Sequence, residues 1–283
     1  MAPRLPRFGI VLNARGSVGD VVDDARRAAD VGFDTILITD HLGFISPLVP
    51  LAPIAAAVPS VRVGNCVLNS AFYRPALLSR DLTAVASVTD GRFEIGLGAG
   101  YVADEFAMAG LPFPTPGQRL RLLTEHVDTI KSAFVEHPSR SLQAPPIMIA
   151  GSGDRLLTMA AQKADIITIG ALTTEAGLAE RVAYIKRQAG ERFDEIELAF
   201  GFFQPSLDDP DDMRVIEMLA PEAADAQRRA MATVLDGSVT TAADRITRMR
   251  EDLGITYFQF SLITDSMSTS WDTLEKLLIA ARP

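Results

Sequence analysis

Cysteine is almost missing from this 283-residue chain, with Cys66 its single example. One thiol excludes a disulfide framework and a cysteine-rich metal centre. Positive charge is also short: 27 Lys and Arg stand against 36 Asp and Glu, a net charge of -9 with a sequence pI near 4.9. Without a basic face to offset that acidity, the phosphate backbone of a nucleic acid is a poor partner. No apolar run approaches the roughly 18 residues of a membrane span. Residues 1–7, Met-Ala-Pro-Arg-Leu-Pro-Arg, lack the apolar core of a signal peptide. The expectation is a cytoplasmic protein with a small-molecule substrate.

What is present is a repeat of apolar runs, each followed by a helical pattern. Strands are expected at residues 8–12, 35–39, 61–68, 92–97, 146–150, 165–169, 196–203 and 255–263. Ser17-Val-Gly-Asp20 has capping-box spacing, Val18, Val21, Val22, Ala25 and Ala29 recur at helical intervals, and Gly32 is the stop. Further helices are expected at 51–58, 75–88, 118–134, from 153 to 162, at 174–189, near 213–235 and 242–253, and at 270–281. No linker rich in Gly, Ser or Pro divides the series, and most strands read as continuous apolar runs, as parallel strands covered on both faces do. Eight such units in this length predict a single-domain (β/α)8 TIM barrel over residues 1–283, since that fold takes about 250 residues. A doubly wound sheet would carry its phosphate fingerprint after the first strand, and Asn13-Ala-Arg-Gly-Ser is not one.

Function in a barrel gathers at the C-terminal ends of the strands. That rule selects Asn13, Asp40, His41, residues 65–70, 98–101 and 151–153, Gly170, Gln204 and Thr264. Asp40-His41 is the sharpest local signal. A strand-end His can exchange a proton with a bound substrate, and a neighbouring carboxylate can hold its tautomer. The competing reading is an N-cap Asp followed by a packed loop His. His126 and His137 read as surface residues on and after a solvent-facing helix, so no metal set forms from the three histidines. Gly151-Ser152-Gly153, between a strand and a helix, offers free amides to an anion, or is a plain capped turn. Gly96-x-Gly98-x-Gly100 either lets a ligand approach the backbone closely or marks tight packing at the barrel rim.

Taken in order, these pieces resemble one family. Ala29-x-x-Gly32-Phe33-Asp34 leads to Asp40-His41; Arg62-Val-Gly64 is followed by Val67-Leu68 and Arg74-Pro75-Ala76; Asp90-Gly-Arg-Phe runs into Gly96-Leu-Gly-Ala-Gly100; and Pro145-Pro146-Ile leads to Gly151-Ser-Gly153 and Ala164-Asp165. This pattern is similar to the bacterial luciferase-like superfamily, whose barrels hold flavin mononucleotide (FMN) or the deazaflavin coenzyme F420. Overall the chain looks most like the deazaflavin branch.

The resemblance implies an oxidoreductase moving a hydride between C5 of F420 and a small organic substrate, with reduction of a C=C or C=N bond. His41, with Asp40 beside it, would stand next to the reacting carbon. Asn65 and Cys66 would share a non-prolyl cis peptide in a bulge beneath the cofactor ring, and Gly151, Ser152 and Gly153 would bind its phosphate. Gly98 and Gly100 are expected to line the ring. Cys66 otherwise reads as a small core residue and not as a nucleophile. Relatives are often dimers, so a homodimer is expected. Two departures stand out. Tyr101 replaces a Glu that serves some relatives as general acid, and would donate weakly or stack, while Asp104 and Glu105 begin a helix. The link from His137 to Ala144 is shorter than the hairpin of many relatives. An FMN-dependent monooxygenase of the same fold and a non-redox barrel acting as a binding module are the alternatives.

Overall fold

A computed structural model describes residues 4–12, 14–137, 142–261 and 269–283. The chain begins with β1 (Arg7–Leu12), α1 (Val18–Val31), β2 (Thr35–Ile38) and α2 (Leu51–Ala57). β3 (Arg62–Asn65), a two-residue β4 (Leu68–Asn69), α3 (Pro75–Ser87) and β5 (Phe93–Gly98) follow. Next come α4 (Ala103–Met108), α5 (Pro116–Val135), β6 (Ile147–Gly151), α6 (Asp154–Lys163), β7 (Ile166–Ile169), α7 (Glu175–Ala189) and β8 (Glu197–Phe202). The last stretch holds β9 (Gln204–Ser206), α8 (Arg214–Leu219), α9 (Asp225–Arg229), β10 (Val234–Asp236), α10 (Val239–Leu253), β11 (Ile255–Ser261) and α11 (Trp271–Ala281).

The principal strands run parallel in the ring order β1-β2-β3-β5-β6-β7-β8-β11. The ring closes where β1 pairs with β11 and β3 with β5. This is the expected (β/α)8 barrel. Val11, Leu37, Met148, Ile166, Ala199 and Tyr257 come from six different strands and pack together, which is possible only inside the barrel. The alternate positions, such as Ile10, Ile36, Ile149, Ile167 and Phe200, face outward into the layer under the helices. Among the described residues no helix is long and apolar enough to cross a membrane.

Local chemistry sets the helix ends. In α1 both halves of the Ser17–Asp20 capping box form, and Gly32 closes the helix at φ 104°. α10 starts earlier than expected, because the hydroxyl of Ser238 accepts from Thr241 N at 3.1 Å and caps it. The 213–235 stretch is not one long helical region. Ala220 precedes a proline, which disfavours helical backbone there, and the stretch divides into α8, α9 and β10, the last pairing with β9. His126 is a second correction. It is fully buried on the barrel-facing side of α5, in step with Leu123, Val127, Ile130 and Phe134. Its Nδ1 lies 2.8 Å from Leu122 O, while Nε2 is buried without a hydrogen-bond partner. His137, just past α5, is half-buried.

The N-terminal end of the barrel is closed by charge. Glu94, 1% exposed, accepts from Arg7 Nη1 and Arg62 Nε, both at 2.6 Å. Arg7 also pairs with Glu197 at 2.7 Å and lies 3.5 Å from the centre of the Tyr257 ring. All site residues considered below sit at the opposite end.

Candidate active site

Two strands beyond β2 in the ring, the loop after β5 leads into α4, and there the structure supplies a partner for His41. Nδ1 of His41 lies 2.6 Å from Oε1 of Glu105. Both side chains are mostly enclosed, 33% and 14% exposed. The imidazole is also flanked edge-on by Phe44 at 5.9 Å and Tyr101 at 6.5 Å. A carboxylate accepting the Nδ1 proton fixes the tautomer and leaves Nε2 as the nitrogen that can exchange a proton with a ligand. Glu105 is the residue of this candidate site that sequence reasoning missed. Its place in the first turn of a helix is equally explained by the helix dipole, and only the ring order brings that turn to the end of β2.

Asp40 does not hold the His41 tautomer. Its Oδ2 accepts instead from Asn69 N at 2.9 Å and from the Tyr73 hydroxyl at 3.1 Å. Asp40 is 8% exposed, and burial outweighs these donors, so its carboxyl is held above the ordinary 3.8. Burial and then the Asp40 charge push the Tyr73 phenol upward as well. Asp40 thus positions the residues after β2 against β4. Tyr101, 71% exposed, stands at the rim with its ring at right angles to that of His41.

The break between β3 and β4 accounts for the glycine series. Gly64 is level with Glu94, yet Leu68 is level with Leu97, so β3–β4 advances four residues while β5 advances three. That is a bulge. A Cβ on Gly96 would lie 1.8 Å from the Asn65 carbonyl oxygen, and one on Gly98 would lie 2.5 Å from a Val67 methyl. One on Gly100, at φ 72°, would meet the Asn69 side chain at 2.3 Å. The missing side chains of Gly98 and Gly100 therefore make room for protein, a structural reason for the series that stands beside the expected ligand contact. The cis peptide lies at Cys66–Val67 and not at Asn65-Cys66. Cys66 N still donates to Ile38 O at 3.0 Å, so the ladder holds one residue longer than expected.

Asn65 and Cys66 are engaged with protein as well. Asn65 Nδ2 donates to Pro47 O at 3.0 Å. The Cys66 thiol donates to Gln259 Oε1 at 3.7 Å, and burial pushes it up to about 12. That environment is the one expected of a core cysteine and not of a nucleophile.

Gly151, Ser152 and Gly153 link β6 to α6. Gly153 is the N-cap, and no side chain caps the helix. The space beside Gly153 is open, with no atom within 4 Å of where its Cβ would stand. Helix-start amides left without a side-chain cap, beside a glycine with open space, suit an anion. Gly170, on the next loop, gives room to Ser152, whose Cβ would lie 2.7 Å from a Cβ there. Ser152 follows β6 and His41 follows β2, so both belong to the C-terminal mouth, three strands apart in the ring. Gln204 lies elsewhere in its role. It is 1% exposed, and its Oε1 accepts from Val215 N and Ile216 N, which fastens α8. Asn13 and Thr264 lie outside the described residues.

A closed parallel barrel carrying a His–carboxylate pair and an uncapped glycine turn at its C-terminal mouth defines the class as a (β/α)8 barrel with its site on the βα loops. Within that class, the chain belongs to the luciferase-like monooxygenase family, whose model matches residues 5–248. An F420-dependent glucose-6-phosphate dehydrogenase from Amycolatopsis mediterranei is 29% identical over 124 residues, 41% of this chain and 37% of the relative. The chain thus spans little more than a third of that relative's length. One of the same description from Nakamurella multipartita is 27% identical over 231 residues, 70% of this chain and 67% of the relative. Among solved structures, an F420-dependent secondary alcohol dehydrogenase bound to an F420–acetone adduct superposes with TM-score 0.81 at 16% identity, covering 99% and 100% of the two chains. The FMN complex of the oxygenating constituent of 3,6-diketocamphane monooxygenase from Pseudomonas putida superposes with TM-score 0.76 at 14% identity, covering 99% of each chain. At such identities the superpositions establish the fold.

Proposed function

We propose that this protein is an oxidoreductase that transfers a hydride between coenzyme F420 and a small organic substrate, reducing a C=C or C=N bond. The observation that carries the reading is the His41–Glu105 pair at the same barrel mouth as the uncapped Gly151–Gly153 turn. The F420-dependent relatives support the choice of cofactor. The free amides of the turn and the positive end of α6 would hold the cofactor's phosphate. When bound, F420 supplies the carbon that gives or takes the hydride. Glu105 orients the His41 ring through Nδ1, and Nε2 delivers or removes the substrate proton that accompanies the hydride. Tyr101 walls the rim beside that ring. Asp40 keeps the loop after β2 in register with β4.

A spectral titration of the purified protein tests the cofactor. Micromolar or tighter binding of F420, weakened by Gly153→Glu, is expected. Binding of FMN with none of F420, together with oxygen consumption in the presence of reduced FMN, would instead identify the monooxygenase. Binding of F420 with no hydride transfer to any acceptor would leave the barrel as a binding module.

A further inference from the structure

We infer that Arg15 binds an anionic group of the substrate, so that the protein acts on a carboxylate or a similar acid; the inference rests on the hydride-transfer reading above. Arg15 lies in the loop after β1, on the mouth of the barrel. Its guanidinium carbon is 4.9 Å from the centre of the Phe44 ring, and Phe44 in turn packs edge-on against His41 at 5.9 Å. The two contacts set guanidinium and imidazole no more than about 11 Å apart. Ile45 N donates to Ala14 O at 2.9 Å, which ties the His41 loop to the Arg15 loop.

The guanidinium carbon lies over the aromatic face, and among the described residues no hydrogen-bond acceptor engages Arg15, so its N–H donors are free for a ligand. Among the described residues no carboxylate pairs with Arg15, whereas the neighbouring acids of this mouth are engaged elsewhere, Glu105 by His41 and Asp40 by Asn69 N and the Tyr73 hydroxyl. The chain carries a net charge of -9, and such a surface repels an anion unless a local cation receives it. An exposed, aromatic-backed arginine with an unused planar fork matches the geometry of a carboxylate.

Two sources of anion have to be separated, the substrate and the acidic parts of the cofactor. The ring order favours the substrate. β1 and β6 are four strands apart in either direction around the eight-strand ring, so Arg15 stands diametrically opposite the Gly151–Gly153 turn. An anion at Arg15 is therefore on the far rim from the phosphate turn, on the same side as His41.

The experiment compares wild type, Arg15→Ala and Arg15→Lys. Crotonate, cinnamate and itaconate are each paired with their methyl esters. Calorimetry measures binding to the protein with and without F420, and the absorbance of reduced F420 follows turnover. Wild type is expected to bind at least one acid tenfold or more tighter than its ester. Arg15→Ala should abolish that preference, and Arg15→Lys should restore part of it, while F420 affinity stays within twofold. Equal binding of acid and ester, binding of no acid in the panel, or a preference unchanged in Arg15→Ala would each overturn the inference. So would a loss of F420 affinity in Arg15→Ala, which would assign the anion to the cofactor. Failure of wild type to bind F420 sinks the hydride-transfer reading instead, and the acid–ester comparison on the protein alone still reads Arg15.

Discussion

His41 and Asp40 are adjacent in the chain, yet the structure separates their tasks. The imidazole is held by Glu105 and the Asp40 carboxylate by Asn69 and Tyr73. Replacing His41 with Ala should lower kcat by about 10²–10⁴-fold, the usual contribution of a positioned acid–base group. Glu105→Gln keeps the shape but loses the charge that favours the Nδ1 proton, and about a tenfold fall in kcat with little change in F420 affinity is expected. A steady-state series on both variants checks this, and unaltered kcat in Glu105→Gln would remove the pair from the mechanism. Asp40 makes a different prediction. Its folded carboxyl is raised above 3.8 by burial, so the stability it contributes is present below that value and is lost as pH rises through the folded one. Asp40→Asn retains an oxygen for both donors and never ionises. Its melting temperature relative to wild type should therefore climb as pH rises above 3.8 through the raised folded value. A difference that stays flat or shrinks over that range would contradict the assignment.

At the scale of elements, the barrel was legible because each strand is a separate apolar run and each helix brings its own cap and stop. Ser17, Gly32 and Thr174 act within a few residues of themselves, and local effects can be read from local sequence. His126 was legible in principle, since it keeps step with Leu123 and Ile130 on one face of α5. The Glu105 contact and the β9–β10 pair were not legible, because each depends on which loops the closed ring makes neighbours, and the bulge entered only through the family resemblance, one residue short of its cis bond. The glycine series shows the difference well. Its spacing was plain, but its reason lies across the sheet in Asn65, Val67 and Asn69. Gly96→Ala tests that reason: a methyl 1.8 Å from the Asn65 carbonyl has to displace backbone, at a cost of about 3 kcal/mol or more. Denaturant unfolding should report that loss, and F420 binding should weaken with it because the bulge and the loop after β5 move together. A Gly96→Ala protein as stable as wild type would mean that the bulge shifts freely.

Across the whole molecule, the two ends of the barrel do different work. The mouth holds a His–carboxylate pair, an arginine over an aromatic ring and an uncapped turn, all with donors or acceptors left for a ligand. The opposite end is occupied by Arg7, Arg62, Glu94 and Glu197, whose charges are met by one another, with the Tyr257 ring against Arg7. Glu94 lies between two guanidinium groups at 2.6 Å from each and is almost fully buried. Removing one member of such a set strands the others, at a cost of about 3–5 kcal/mol, so Glu94→Ala should unfold at markedly lower denaturant than wild type. Glu94 is six residues before Gly100 along and beyond β5, about 20 Å at 3.3 Å per residue. Because ligand chemistry belongs to the mouth, F420 affinity of the folded Glu94→Ala protein should stay within about twofold of wild type. The pairing of outcomes is the test: Gly96→Ala loses stability and binding together, whereas Glu94→Ala loses stability alone. If Glu94→Ala also weakened F420 binding under conditions where it is fully folded, the two ends would be coupled through the strands, and the ion cluster would belong to the site as well as to the frame.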